Sequence, residues 1–526
     1  MTNASTTSVA RVELGTSIDT VGESISTRAA DVTAALKPPS RFDVPAGDLK
    51  RRTVQGALAR LVAQATNIFV RIGSLMLLAR LLEPADFGLV NMVTVVTGLF
   101  SLFKDAGLSM ITIQRAVITE AQLSTLFWVN LLVGLLFATL SIAAAPALVA
   151  FYHEPRLYWI AVVMGCGFVV NAAGVQHTAL LQRQMRFAAL AALEMTSLVI
   201  SIVVGVSMAL SGYRHWALVG MAVSLPLAST VGAWVQVRWL PSWPSRRTGL
   251  KSMMRFGGIV SLNGLIMYFA YNLDKLLLGR FAGAQTLGIY GRAYQLISIP
   301  SDTLQSSLGG VALSALSRLQ NDAERFRSYF LKGYSLFLAI TVPLTISCAM
   351  FASDIVVVLL GPKWTDAAII FRCLAPTILA LALINPVGWL LFARGQIERS
   401  LKMAFVIAPL VIASYAIGLA YGPVGVATAF SAMMMTLTVP MILWATHGSP
   451  VRPRDLVRTA STPLLAALIA TAITLPLMPR IAVLPSFPRL VAESGVFFAS
   501  YALLLLYPFK QKSVYMALYQ EAAGSR

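Results

Sequence analysis

Apolar stretches of about 20 residues follow one another along almost the whole chain, and this pattern limits its fold more than any other feature. A stretch of that length crosses the roughly 30 Å hydrocarbon core of a bilayer as an α-helix. Only 12% of the residues are charged and 57% are hydrophobic, whereas soluble domains carry about 25% charged residues. The sequence therefore excludes a soluble enzyme or a soluble binding module. It predicts one polytopic helical membrane domain.

The apolar stretches predict an all-α polytopic membrane protein with about 14 transmembrane helices. The predicted spans are residues 57–81, 87–103, 124–150, 157–180, 188–211, 214–238, 256–281, 287–313, 330–360, 366–393, 401–421, 423–446, 456–478 and 489–508. Before them, residues 1–50 are rich in Ser, Thr and Ala and contain no sustained apolar run. This composition predicts a disordered cytoplasmic tail.

Basic residues between the spans predict the orientation in the membrane. With a cytoplasmic N-terminus, about 25 Lys and Arg residues fall in cytoplasmic segments and about 7 in the opposite turns. Such a bias is typical of the positive-inside rule, so both termini are predicted to be cytoplasmic. The same rule accounts for the net charge of +19, and no nucleic-acid partner is predicted.

An internal repeat relates the two halves of the chain. Shifted by 200 residues, the segment 77–88 lies over 277–288 without a gap, and both copies contain Leu-Leu-small-Arg followed eight residues later by Gly. Six predicted helices separate the copies, so both halves have the same topology, which is typical of transporters that bind substrate between the halves. The predicted domains are an N-lobe at 51–250, a C-lobe at 251–448, and two extra helices with a short cytoplasmic tail at 449–526.

Polar side chains at helical spacing mark four predicted spans, two in each half. In the first span, Gln64, Asn67 and Arg71 are separated by three and four residues and share one helix face. Matching stripes predict a hydrated cavity between two pseudo-symmetric six-helix lobes. The candidate substrate-binding or translocation residues are Gln64, Asn67, Arg71, Asn91, Asp105, Asn263, Tyr268, Asn272, Asp274, Lys275, Arg292, Tyr294 and Gln305.

The charged members of these stripes have two interpretations. Arg71 lies near the middle of its predicted span, where a charge costs at least about 2.5 kcal/mol on insertion scales. Arg71 either faces a working cavity or is satisfied by snorkelling or by backbone carbonyls. Asp274 and Lys275 either belong to the same cavity or neutralise each other at a helix end. We expect Arg71 and Asp274 to face one central cavity, about 4.5 Å apart along the helix axis.

Signatures of catalysis are missing from the sequence. It contains no Walker-type phosphate loop, no metal-ligand spacing and no long non-cytoplasmic loop that could house a catalytic domain. The chain is therefore not expected to be an enzyme, and neither a catalytic residue, a metal site nor a bound cofactor is predicted.

Three segments, 71–90, 105–114 and 272–320, resemble bacterial polysaccharide transport proteins. These are the oligosaccharide-lipid flippases of the multidrug/oligosaccharidyl-lipid/polysaccharide exporter superfamily. The most specific features are Asn-Leu-Asp at 272–274, Gly-Arg at 279–280 and Leu-Gly-Ile-Tyr at 287–290. The resemblance covers residues 50 to 510 and implies two six-helix lobes, often followed by two further helices.

The resemblance also implies a function. Members move undecaprenyl-diphosphate-linked oligosaccharides from the cytoplasmic to the outer leaflet of the bacterial inner membrane, for exopolysaccharide, capsule or O-antigen synthesis. Arg71 and Lys275 are the candidate ligands of the diphosphate, H⁺ or Na⁺ is the possible coupling ion, and a polysaccharide polymerase and export complex are possible partners. Two alternatives remain, namely a multidrug/cation antiporter of the same superfamily and a membrane glycan polymerase or ligase.

Overall fold

The computed structural model describes residues 66–103, 108–114, 118–244, 258–509 and 511. The predicted tail, Gln64 and Asp105 lie outside these ranges. Within them the chain is helical and contains no β-strand.

Fourteen long helices cover the described parts of the predicted spans. They are α1 (66–81), α2 (Pro84–Ser101), α4 (Glu120–Tyr152), α5 (Leu157–Arg183), α6 (Phe187–Leu210), α7 (His215–Val237), the segment Gly258–Arg318 that contains α8 and α9, α10 (Ala323–Met350), α12 (Thr365–Ala393), α13 (Ile397–Leu419), α14 (Gly422–Thr446), α15 (Pro453–Thr474) and α17 (Ser486–Leu506). Shorter helices are α3 (Leu108–Gln114), α11 (Ala352–Leu359) and α16 (Met478–Ile481), and a 3₁₀ turn covers Pro362–Trp364.

Eleven of the described helices are long and apolar enough to cross a membrane. The other three predicted spans coincide with α1, α8 and α9, which carry most of the predicted polar stripes. This arrangement confirms the predicted all-α membrane fold.

Local sequence sets the helix ends that matter for the site. The capping box of α2 pairs Glu83 with Asp86, and Pro84 follows at the first helical position, where a proline loses no hydrogen bond. Gly283 separates α8 from α9 with φ 80 and ψ 177, a conformation that residues with a side chain rarely adopt. The predicted single span 330–360 is divided at Phe351, where φ −97 and ψ 19 separate α10 from α11.

The helices pack as two lobes with an added pair. In the N-lobe α4 packs on α5, α6 on α7, and α5 on α7, whereas in the C-lobe α12 packs on α10 and α14, and α13 on α14. The added helices α15 and α17 pack on each other and on α10 and α11, and Arg489 of α17 donates to Asp354 of α11 at 2.9 Å. The predicted domain boundary at 250 falls outside the described residues.

The lobes meet where α2 crosses the segment containing α8 and α9. A β-carbon at Gly88 would lie 1.7 Å from the carbonyl oxygen of Ala284, and one at Gly288 would lie 1.8 Å from the carbonyl oxygen of Pro84. The two backbones therefore touch at repeat-equivalent positions. Such reciprocal contacts are the mark of a twofold relationship, here between halves of one chain.

Candidate functional site: a cavity between the two lobes

A cavity of about 690 Å³ lies between the lobes, bounded by α2, α6 and α7 on one side and α8 and α9 on the other. We call it the central cavity. Six predicted site residues line it, one from α2 of the N-lobe and five from α8 and α9 of the C-lobe. They are Asn91, Tyr268, Asn272, Lys275, Arg292 and Tyr294.

Lys275 presents a positive charge to the central cavity. Its Nζ donates to Asn272 Oδ1 at 2.8 Å and lies 4.6 Å from the ring centroid of Tyr294. No carboxylate of the described residues forms an ion pair with it. An ammonium group has three donors, so Lys275 retains hydrogen-bonding capacity and charge for an anionic ligand.

Arg292 adds a second cation on the C-lobe side. Its guanidinium carbon lies 4.0 Å from the ring centroid of Phe87 in the N-lobe, and its Nη1 donates to Gln295 Oε1. Its Nε has no partner among the described residues. Among the described residues, Asp302 is the one carboxylate lining this cavity, so the charged groups that line it carry a positive sum that favours an anion.

Tyr268 connects the two lobes across the cavity. Its hydroxyl, on α8, donates to the carbonyl oxygen of Val95, on α2, at 2.6 Å. A β-carbon at Gly98 would lie 2.2 Å from that hydroxyl, so glycine is required there for the contact. Tyr268 therefore contributes both to the cavity wall and to closure between the lobes.

Asp274 does not face the central cavity, contrary to our expectation. It is fully buried, its Oδ2 accepts from the Tyr290 hydroxyl at 2.7 Å, and its Oδ1 accepts from the Lys275 backbone N–H at 2.7 Å. The carboxylate is turned towards α9, where burial requires these hydrogen bonds. The expected juxtaposition with Arg71 is therefore wrong.

Arg71 lines a different space. It is exposed, its Nε donates to Asn67 Oδ1 at 2.8 Å, and both residues border a cavity of about 420 Å³ within the N-lobe. We call this the N-lobe cavity. It adjoins the central cavity, because Ala222 and Leu225 line both.

The remaining predicted residues are dispersed. Gln305 lines a third cavity, of about 240 Å³, within the C-lobe, together with Tyr271 and Asn385. The backbone of Asn263 belongs to α8, but its side chain is outside the described part of the structure.

Some cavity residues were not found from the sequence. Ser201 of α6 lines the central cavity, and Asn171, Glu194 and Ser197 line the N-lobe cavity. Glu194, Ser197 and Ser201 share one face of α6 at steps of three and four residues. This fifth stripe was not among the four predicted, and it is the signal that could have identified them.

Solved structures of membrane transporters share this fold. The chain superposes on the lipid II flippase MurJ in an inward closed conformation with a TM-score of 0.67 and 11% identity, covering 87% of this chain and 99% of that one. It superposes on an inward-facing multidrug resistance MATE family transporter with a TM-score of 0.58 and 16% identity, covering 74% and 98%. At these identities the likeness establishes the fold.

Three bacterial proteins are similar to this chain in sequence. The teichuronic acid biosynthesis protein TuaB of Bacillus subtilis is 29% identical over 56% of this chain and 61% of its own length. The lipopolysaccharide biosynthesis protein WzxC of Escherichia coli is 25% identical over 74% and 80%. A membrane protein of the cps region of Klebsiella pneumoniae is 26% identical over 68% and 74%.

A family model confirms the resemblance seen in the sequence. The model described as polysaccharide biosynthesis protein matches residues 77–369, which is more than half of the chain. The matched range includes α2, α8 and α9, which form the crossing between the lobes and much of the central cavity. The chain therefore belongs to the polysaccharide biosynthesis protein family.

Proposed function

We propose that this protein is a flippase that moves an undecaprenyl-diphosphate-linked oligosaccharide from the cytoplasmic to the outer leaflet for surface polysaccharide synthesis. The observation that carries the proposal is the charge of the central cavity, where Lys275 and Arg292 lack carboxylate partners among the described residues. The names of the relatives and of the MurJ neighbour support it.

The physical task explains why a cavity of this kind is needed. A diphosphate with attached sugars cannot cross hydrocarbon unaided, because burying unpaired charge and hydroxyl groups is prohibitively costly. Lys275 and Arg292 would bind phosphate oxygens through charge-assisted hydrogen bonds. Asn91 and Asn272 line the same space and would donate to further oxygens of the headgroup, while the polyprenyl chain stays in the lipid.

Contacts between the lobes gather at one end of the helices. Arg80 donates to the Val358 carbonyl at 3.0 Å, and Arg280 donates to His153 Nδ1 at 2.9 Å. Lys363 pairs with Glu83 at 2.7 Å beside them. The predicted topology assigns this end to the outside, so the proposal includes a closed outer end, cytoplasmic termini and residence in the inner membrane.

The cation antiporter alternative is less compatible with this cavity. A site for cationic drugs favours net negative charge, whereas Lys275 and Arg292 outnumber the single carboxylate of Asp302. Resetting of the lobes by H⁺ or Na⁺, and delivery of the unit to a polysaccharide polymerase and export complex, belong to the proposal as well.

Deletion of the gene tests this function in the host. We expect lipid-linked oligosaccharide to accumulate on the cytoplasmic leaflet and surface polysaccharide to be lost. Expression of the intact chain should remove the accumulated lipid and restore the surface polysaccharide. The Lys275→Ala variant should fail to restore export at equal membrane abundance. Normal export in the deletion strain, without accumulation, would contradict the proposal.

A further inference from the structure

The N-lobe cavity has a chemistry distinct from that of the central cavity. Its volume is about 420 Å³, and it is enclosed by α1, α2, α5, α6 and α7. Polar side chains from all five helices border it. They are Asn67, Arg71, Thr97, Ser101, Asn171, Glu194, Ser197 and Ser229.

Several of these polar groups are not satisfied by the protein. Ser197 is only 2% exposed, and its hydroxyl has no partner among the described residues. Within the same part of the chain, Asn171 and Glu194 have no side-chain hydrogen bond or ion pair to one another or to Arg71. In contrast, the hydroxyls of Thr97 and Ser101 bond to carbonyls of their own helix. Of these residues Ser197 is buried without a partner in the described structure, whereas Asn171 is half-buried and Glu194 is exposed. A buried hydroxyl without a partner is costly, so Ser197, beside the unpaired amide of Asn171 and carboxylate of Glu194, indicates a polar ligand.

The rest of the wall is apolar and aromatic. Phe168 lines the cavity, and its ring stands 6.2 Å from that of Phe100 and 6.1 Å from that of Phe137, measured between centroids. Specific small-molecule sites combine such an apolar wall with a few convergent polar groups. A sugar ring matches this combination, because it has hydroxyl groups at its edge and C–H groups on its faces.

The position of the N-lobe cavity fits one part of the proposed substrate. Ala222 and Leu225 border both this cavity and the central cavity, so one elongated headgroup can occupy the two spaces together. Both cavities contain amide and hydroxyl groups, but their charges differ. Among the described residues, Lys275 and Arg292 face one carboxylate, Asp302, in the central cavity, whereas Arg71 faces one carboxylate, Glu194, in the N-lobe cavity.

We infer that the N-lobe cavity is the sugar-recognition subsite, which holds sugar residues of the lipid-linked oligosaccharide while its diphosphate lies beside Lys275. Glu194 accepts from sugar hydroxyls, and Asn171, Ser197 and the guanidinium of Arg71 complete the set. This inference rests on the proposed function and adds a division of labour, in which the central cavity recognises the lipid diphosphate and the N-lobe cavity recognises the glycan.

Binding measurements with two probes separate the two roles. The purified full chain is titrated with undecaprenyl diphosphate alone and with undecaprenyl-diphosphate-linked oligosaccharide extracted from cells that lack this chain. Glu194→Ala and Asn171→Ala should weaken binding of the glycan-bearing probe about tenfold, equivalent to the loss of one or two hydrogen bonds. They should leave the affinity for undecaprenyl diphosphate unchanged. Lys275→Ala should weaken binding of both probes.

A neighbouring residue supplies the matched control. Thr196 lies on the same helix as Glu194, is exposed, and bonds to the Leu193 carbonyl at 3.1 Å, so Thr196→Ala should bind both probes as the intact chain does. Glu194→Gln keeps the side-chain shape and controls for misfolding, and it should show part of the loss seen for Glu194→Ala.

Each outcome is decisive. If the Glu194 and Asn171 variants bind both probes normally, or if their affinity for both probes falls by the same factor, the sugar subsite is wrong. If Glu194 variants change only the pH dependence of transport, the cavity is a proton site and not a glycan site. If the intact chain binds neither probe, the proposed function fails together with the subsite, whereas binding of both probes with no effect of these variants leaves the function intact.

Discussion

Gly88 of α2 and Gly288 of α9 are repeat-equivalent residues that make reciprocal backbone contacts. Gly88 lies against Ala284, four residues before Gly288, and Gly288 lies against Pro84, four residues before Gly88. The approach is close enough that a β-carbon on Gly88 would lie 1.7 Å from the Ala284 oxygen and one on Gly288 would lie 1.8 Å from the Pro84 oxygen. One pseudo-twofold contact thus joins the lobes next to the central cavity. Alternating access requires the lobes to rock about a contact of this kind.

The first prediction concerns this crossing. Gly88→Ala and Gly288→Ala should each destabilise the protein, because backbone atoms cannot rotate away from the added methyl group as a side chain can. Overpacking of this kind costs on the order of 3 kcal/mol. The measurement is the apparent Tm and the yield of purified protein.

Gly333→Ala in α10 is the matched control, because a β-carbon there would meet no atom within 4 Å. Its apparent Tm should be no lower than that of the intact chain, since alanine favours a helix more than glycine does. Unchanged stability in both Gly88→Ala and Gly288→Ala would contradict the close crossing.

The second prediction concerns closure at the outer end. Replacing both Arg80 and Arg280 by Ala removes two hydrogen bonds between the lobes. One runs from Arg80 of the N-lobe to Val358 of the C-lobe, and the other from Arg280 of the C-lobe to His153 of the N-lobe. Hydrogen bonds to charged groups contribute about 1.5–3 kcal/mol each, so the outward-open population should rise about tenfold or more.

Cysteine labelling measures this population. Thr94, which lines the central cavity, is changed to Cys in a chain without its native cysteines. An impermeant maleimide added outside should then label it faster.

Arg156 provides the comparison, because it pairs at 2.7 Å with Glu154 of its own loop and not with the other lobe. Arg156→Ala should leave the labelling rate unchanged. Equal rates in the Arg80/Arg280 double variant and the intact chain would show that these contacts do not close the outer end.

The third prediction assigns Asp274 to folding. Tyr290→Phe removes the hydroxyl that donates to its buried Oδ2, which should cost about 1–3 kcal/mol. Asp274→Ala should lower the apparent Tm as well, and the double variant should lose less than the sum of the two, since they share one interaction. Arg71→Ala should keep the apparent Tm, because Arg71 is exposed. Equal stability of Asp274→Ala and the intact chain would exclude this role.

The sequence was sufficient for the helices and the repeat, for a simple physical reason. The length of an apolar run determines whether it can cross a bilayer, and the register of Gly88 and Gly288 is visible without any structure. The division of 330–360 at Phe351 was not predicted, because an apolar run does not reveal a short break in its helix.

Side-chain direction was the part that could not be predicted. Asp274 and Lys275 are adjacent in sequence, but successive residues on a helix point about 100° apart. One therefore faces Tyr290 in α9 while the other faces the central cavity. Arg71 was assigned to the wrong cavity for the same reason, since a stripe defines one helix face but not the neighbour it meets.

The most direct test of the account is lipid flipping by the purified protein in vesicles. Undecaprenyl-diphosphate-linked oligosaccharide is incorporated into both leaflets, and a lectin added outside captures the glycans that reach the outer leaflet. The intact chain and Lys402→Ala, which changes an exposed lysine on α13, should move the inner pool outward. Lys275→Ala should be slower by about tenfold or more, since it lacks a charge-assisted contact with the diphosphate. Capture by the intact chain no greater than in protein-free vesicles, or equal rates for Lys275→Ala and the intact chain, would contradict the account.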